Sequence, residues 1–227
     1  MNNLENKMVL ILGDSIMYGA GNNGKGVGEF LEEICHMKFI KRAINAATIA
    51  FWNPEKSWIV DQVREVLREN INPDYIVMDG FTNDCCVLDG TMDTPRTLLG
   101  NENPKLIDIN DINESNNFSE CFISIIQTLR DNYPKAKIVF VRPHNMGRRL
   151  DHLQRLYGER AVLLAKKYNL EICDIYNEST LNTFDPIQRK KYTFDRFNDG
   201  LGDATHPNEL CYREIYMPLI IKHLKNC

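Results

Sequence analysis

Apolar positions along the 227-residue chain fall into two spacings that alternate. Short apolar segments at 8–12 (MVLIL), 39–45, 75–79, 137–141 and 171–175 are bounded by Gly, Pro, Asn or Asp and predict buried strands. Between them the apolar residues recur at helical spacing. Val27, Phe30, Leu31 and Ile34 mark a helix over 27–37; Trp58, Ile59, Val63, Val66 and Leu67 mark the inner face of one over 54–70, with Pro54 in its first turn. Phe122, Ile125, Ile126 and Leu129 place a third over 118–133, which Pro134 stops. Two more are predicted over 150–168 and 207–224, the last with a kink at Pro218. Strands alternating with helices predict a three-layer α/β/α arrangement around a parallel five-stranded sheet, with both faces covered.

Residues 85–117 break the alternation. They are rich in Asp, Asn, Gly and Pro, hold no period, and leave from the end of the third predicted strand. A stretch of that length predicts a pocket wall or lid, or an irregular surface insertion, in an otherwise single domain over 1–227. Composition changes the picture little: 43% hydrophobic and 26% charged residues are ordinary for a globular chain. A net charge of −4 gives no global reason to expect nucleic acid. No apolar run reaches spanning length and residues 1–7 lack the shape of a signal peptide, so the expectation is a cytoplasmic protein without integral membrane association. Seven irregularly spaced cysteines fit reduced thiols, and Cys85-Cys86 has no metal-ligand spacing.

Candidate chemistry begins where the first strand stops, at Gly13-Asp14-Ser15. Gly13 permits a sharp turn, and a hydroxyl is left at the carboxyl end of a strand, where open α/β sheets bind ligands. Ser15 is therefore a candidate nucleophile, and the alternative is that Asp14-Ser15 only caps the next helix. Gly19-Ala20-Gly21-Asn22-Asn23-Gly24-Lys25 imitates a dinucleotide or phosphate loop, but it follows the strand too late, and Gly26 stands where a phosphate loop needs Ser or Thr. A serine needs a base, a group that orients the base, and oxyanion donors. Of five histidines, His206 stands out, just before Pro207 and three residues after Asp203, so one turn can bring the carboxylate to Nδ1 and leave Nε2 for Ser15. Donors are offered by the Ser15 N–H, by Asn83 after the third strand, and by the 45–48 backbone after the second.

These blocks, Gly13-Asp14-Ser15, residues 45–50, residues 80–84 and residues 203–206, together resemble the SGNH, or GDSL, hydrolases in order and separation. The likeness covers nearly the whole chain outside 85–117. It implies a flavodoxin-like fold, a serine esterase or acylhydrolase without a cofactor or metal, Ser15 as nucleophile, His206 as base and Asp203 as its orienter. It also implies an oxyanion hole of the Ser15 N–H, the Ala47 N–H and Asn83 Nδ2. Ala47 and Ala50 stand where the family has glycine, so a positive φ there would cost roughly 1 kcal/mol. A catalytically weak or silent binding protein on the same fold is the alternative. The expected partner is a small-molecule or glycan ester: an acetylated sugar, a short-chain ester or a lysophospholipid. Asp14, Arg142 and His144 are candidate substrate-binding residues, with Arg142 at the end of the fourth strand reaching into the cleft. Arg148 and Arg149 are expected on solvent, paired with acids of the long loop such as Asp108 or Asp111.

Overall fold

The computed structural model describes residues 4–226; residues 1–3 and 227, at the ends of the expected domain, lie outside them. Strands β1 (Met8–Leu12), β2 (Lys38–Lys41), β3 (Tyr75–Met78), β4 (Lys137–Arg142) and β5 (Glu171–Asp174) form one parallel sheet in the order β2-β1-β3-β4-β5. This is the flavodoxin-like order, which reverses direction beside β1 and opens a crevice at the strands' carboxyl ends. The three central strands are buried on both faces: Val9–Leu12, Ile76–Met78 and Val139–Val141 have no exposed surface. Such continuous apolar strands are what a parallel sheet covered on both sides requires.

The helices are α1 (Ser15–Tyr18), α2 (Val27–Cys35), α3 (Ile59–Val66), α4 (Phe118–Asn132), α5 (Asp151–Lys167), α6 (Ile175–Glu178), α7 (Pro186–Tyr192), α8 (Glu209–Cys211) and α9 (Met217–Asn226). Helices α3, α4 and α5 pack in sequence over one face, and α2 packs with α9 over the other. Among the described residues no helix is long and apolar enough to cross a membrane.

Three expected elements are corrected. Helix α3 begins at Ile59 rather than 54, because Trp58 first pairs with Thr48 as an isolated bridge, and Ile59 N–H donates to Thr48 O at 2.7 Å. Strand β2 ends at Lys41, after which the chain turns at the sheet edge through residues 44–47. The last helix is not continuous: a π turn at Tyr212–Tyr216 separates α8 from α9. Pro218 has no N–H to donate and its ring crowds the carbonyl four residues back, and the wider π turn just ahead, closed by Met217 N–H to Tyr212 O, makes room. Two short helices, α6 and α7, were not expected, although Asp185-Pro186 is an N-cap followed by proline at the first helical position.

Candidate active site

The turn after β1 is built from backbone needs. Gly13 has a φ of +135°, and a Cβ there would fall 2.0 Å from Asp79 Oδ1, so both conformation and space demand glycine. Gln62 of α3 grips the same residue twice: its Oε1 accepts the Gly13 N–H at 2.9 Å and its Nε2 donates to Gly13 O at 2.8 Å. Asp14 donates its N–H to Asp79 Oδ1 at 2.9 Å and caps α1 by accepting the Ile16 N–H at 2.9 Å. Ser15 is thereby the first residue of a single helical turn, which ends at Gly19 with a φ of +91°. Asp14 and Asp79 are both fully buried. Burial, and then the Asp14 charge beside it, push the Asp79 carboxyl well above the usual carboxylate range.

The partner segment precedes α8. Asp203 Oδ1 accepts the N–H groups of Thr205 at 3.0 Å and His206 at 2.9 Å, and its Oδ2 meets His206 Nδ1 at 2.5 Å. His206 Nε2 lies 3.0 Å from Ser15 Oγ. Burial alone would raise the Asp203 carboxyl, but the hydrogen bonds and charge of His206 outweigh it and hold Asp203 below its ordinary value. The segment is pinned by Phe194, which donates to His206 O at 2.8 Å and accepts from Asp203 N–H at 2.7 Å. Gly21 lies against its other side: a Cβ on Gly21 would stand 2.6 Å from Pro207 O and 2.8 Å from His206 Cβ.

Opposite the serine, Asn83 Nδ2 donates to Ala47 O at 2.9 Å and approaches Asp14 Oδ2 at 3.4 Å. The Ser15 N–H meets no acceptor among the described residues. The turn after β2 differs from expectation. Ala47 N–H is occupied by Ile44 O at 3.2 Å, and the positive φ, +64°, falls on Ala46. Ala46 occupies the third place of the four-residue turn, where a positive φ belongs. Its N–H meets no acceptor among the described residues and it lines the cleft, so Ala46 rather than Ala47 offers the backbone donor. Behind this turn the buried Asp84 accepts from Ile49 N–H (2.9 Å), Ala50 N–H (3.1 Å) and Thr97 Oγ1 (3.0 Å), tying the loops after β2 and β3 to the 85–117 segment; burial pushes it up to about 6.

Ser15, Ala46, Asn83 and His206 open on a cleft of about 480 Å³. The three expected substrate-binding residues do not line it. Asp14 lies beneath the turn as its cap. Arg142 lies 3.5 Å from Asp174 and stacks 4.1 Å over Tyr176, because a side chain leaving the end of β4 toward α5 meets Gly158, β5 and α6. His144 is fully buried with Nδ1 2.8 Å from Tyr216 Oη, and burial pushes it down to about 3. Arg148 and Arg149 do line the cleft, together with Arg96 and Arg196, and neither pairs with Asp108 or Asp111. Arg96 and Arg196 lie in aperiodic segments and carried no sequence signal. Cys86 also lines the cleft, so the start of the 85–117 segment forms part of its wall.

The profile of the GDSL-like lipase/acylhydrolase family matches residues 11–214. No functionally curated protein matches the chain in sequence. Solved structures share the fold over nearly their full lengths. A Lactobacillus plantarum protein is 17% identical with a TM-score of 0.69, over 99% of this chain and 97% of that one. A lipase/acylhydrolase from Enterococcus faecalis is 16% identical with a TM-score of 0.58, over 97% and 96%. A catalytic mutant of an acetylxylan esterase from Geobacillus stearothermophilus is 14% identical with a TM-score of 0.57, over 99% and 96%. At such identities these likenesses concern the fold, whereas the family match spans most of the sequence and includes the β1 turn and the 203–206 segment. The chain belongs to the GDSL-like lipase/acylhydrolase family, which supports a hydrolase of ester bonds.

Proposed function

We propose that the protein is a serine esterase that cleaves a carboxylic ester through an acyl-enzyme on Ser15. The observation that carries this reading is the hydrogen-bonded line from Asp203 through His206 to Ser15 Oγ, opening on the cleft. Ser15 Oγ attacks the ester carbonyl while His206 Nε2 takes its proton. Asp203 keeps the remaining imidazole proton on Nδ1 and stabilises the imidazolium that forms. Negative charge on the carbonyl oxygen is met by the N–H groups of Ser15 and Ala46 and by the Asn83 amide. His206 then returns the proton to the leaving alcohol, and water, deprotonated by the same nitrogen, releases the acid. A small-molecule or glycan ester suits an open cleft of this size.

Replacing Ser15 or His206 by Ala is expected to lower kcat on 4-nitrophenyl acetate by roughly 10³-fold or more, with the double variant little worse. An active-serine phosphonate should add to Ser15 alone, as read by peptide mass. Multiplicative losses, or near-normal turnover by Ser15→Ala, would remove the assignment.

A further inference from the structure

Four guanidinium groups stand around the cleft onto which Ser15 and His206 open. Arg96 comes from the 85–117 segment, Arg148 and Arg149 from the loop between β4 and α5, and Arg196 from the stretch ahead of Asp203. No Asp or Glu lines the same cleft, and none of the four forms an ion pair among the described residues. Elsewhere the molecule does neutralise such groups, as in Arg42 with Glu69 and Arg213 with Glu33, both at 2.7 Å. The contrast is sharper because the whole chain is acidic, at −4. The buried Asp14 acts on Arg149 through its charge without touching it, and guanidinium groups gathered without a contacting carboxylate repel one another in the empty protein, which an anion in the cleft relieves.

These arginines are also oriented. Arg149 donates Nε to Thr82 O at 2.8 Å, which leaves its two terminal nitrogens for a ligand. The Arg96 guanidinium lies 4.3 Å over the Trp52 ring, and its buried Nε has no partner. Arg148 stands 5.7 Å over Phe197. A planar fork held on an aromatic face is prepared for two parallel hydrogen bonds to a carboxylate or phosphate. Arg96, Arg148, Arg149 and Cys86 line a second cleft as well, of about 440 Å³, whose one acid, Asp151, is already paired with Arg155 at 2.7 Å, so the three guanidinium groups mark the junction of the two.

We propose that the ester taken by this site is an anion, with a carboxylate or phosphate on the arm that runs from the reacting carbonyl toward that junction, held by Arg96, Arg148 and Arg149, with Arg196 on the rim. The inference rests on Ser15 as the nucleophile only in calling the anion a substrate. Hydrolysis leaves the charged group untouched: water's oxygen joins the acyl carbon, the acyl–oxygen bond breaks, and the arm departs or stays with its charge unchanged.

Matched acetates test it. The wild-type protein is assayed on 4-acetoxybenzoate, 4-acetoxyphenyl phosphate and the neutral methyl 4-acetoxybenzoate, at low and high salt. Expected is a kcat/KM at least tenfold higher for one of the charged esters than for the neutral one, with the carboxylate and phosphate arms telling which anion is preferred. That ratio should shrink with salt and fall several-fold in Arg148→Gln combined with Arg196→Gln, which leaves Arg96 and Arg149 in place. Calorimetry on Ser15→Ala supplies a reading independent of turnover: 4-hydroxybenzoate or phenyl phosphate should bind at least tenfold tighter than phenol. Anion binding without hydrolysis of any ester would retire the esterase and keep the anion site. Hydrolysis that is indifferent to charge and salt, or anions binding no tighter than phenol, overturns the inference and leaves the esterase standing. The wild-type ratio and its salt dependence need no variant to fold.

Discussion

Asn83 is anchored by one amide hydrogen and less firmly held by the other. The 2.9 Å bond to Ala47 O fixes the side chain, while the 3.4 Å approach to Asp14 is at the limit of a useful hydrogen bond, so the second N–H can turn to a developing oxyanion. Asn83→Ala is therefore expected to lower kcat by about 10²–10³ with little change in KM; steady-state kinetics in which KM alone moved would make Asn83 a ground-state contact. At Ala46 the φ of +64° strains a residue with a Cβ. Ala46→Gly should raise stability by up to about 1 kcal/mol in urea unfolding, provided relief of strain outweighs the added freedom of the unfolded chain. Ser15, Asn83, Asp203 and His206 were legible because each follows a strand end or precedes a helix marked by Gly or Pro. The choice between Ala46 and Ala47 was not, since nothing in two adjacent alanines says which will sit third in a turn closed from Ile44. Arg142 misled for a similar reason: a residue at a strand end can leave the sheet on either face.

At the scale of elements, α3 and the end of β1 are joined by the double hydrogen bond of Gln62 to Gly13. Gln62→Ala strands a buried N–H and a buried C=O, at about 1–3 kcal/mol each, so a loss of about 2–6 kcal/mol is expected in urea unfolding. Because Ser15 follows Gly13 by two residues, kcat should fall in the same variant, whereas Gln62→Glu keeps both bonds only while its buried carboxyl is protonated, so its stability should fall as pH rises. Gln62 carried no signal of this role in the sequence. Strand β1 was legible to the residue because five apolar side chains are enclosed by Lys7 and Gly13. Helix α3 and the terminal helix were legible in kind but not in extent. The bridge from Trp58 to Thr48 is a tertiary contact, and a proline signals a disturbance without saying whether the backbone will kink or widen into a π turn.

For the molecule as a whole, buried titrating groups pull stability in opposite directions with pH. Asp84 keeps its proton up to about 6 when folded but loses it near 4 when unfolded, so it makes stability fall as pH rises between those values. His144 resists protonation down to about 3, while an unfolded histidine takes a proton near 6.5, so it makes stability rise over much of the same range. Asp203, held low by His206, acts in the same sense as His144. Asp84→Asn removes the falling contribution, and its unfolding free energy should climb more steeply from pH 4 to pH 6 than that of the wild type; parallel curves would place the titration elsewhere. The layered architecture was legible from alternating periods, yet the inward course of the 85–117 segment was not: it is held by Arg64 on Ile109 O and Ile112 O and by Tyr157 on Thr97 O, contacts between residues far apart in sequence. Distance along the chain also governs when the site can exist. Ser15 and His206 are separated by 191 positions, which a ribosome adding 5–20 residues per second covers in about 10–40 s. Throughout that interval a nascent chain carries the serine without its base, so reactivity toward esters, under the proposed chemistry, arrives late in synthesis and in one step, when the 203–206 segment closes over Gly21.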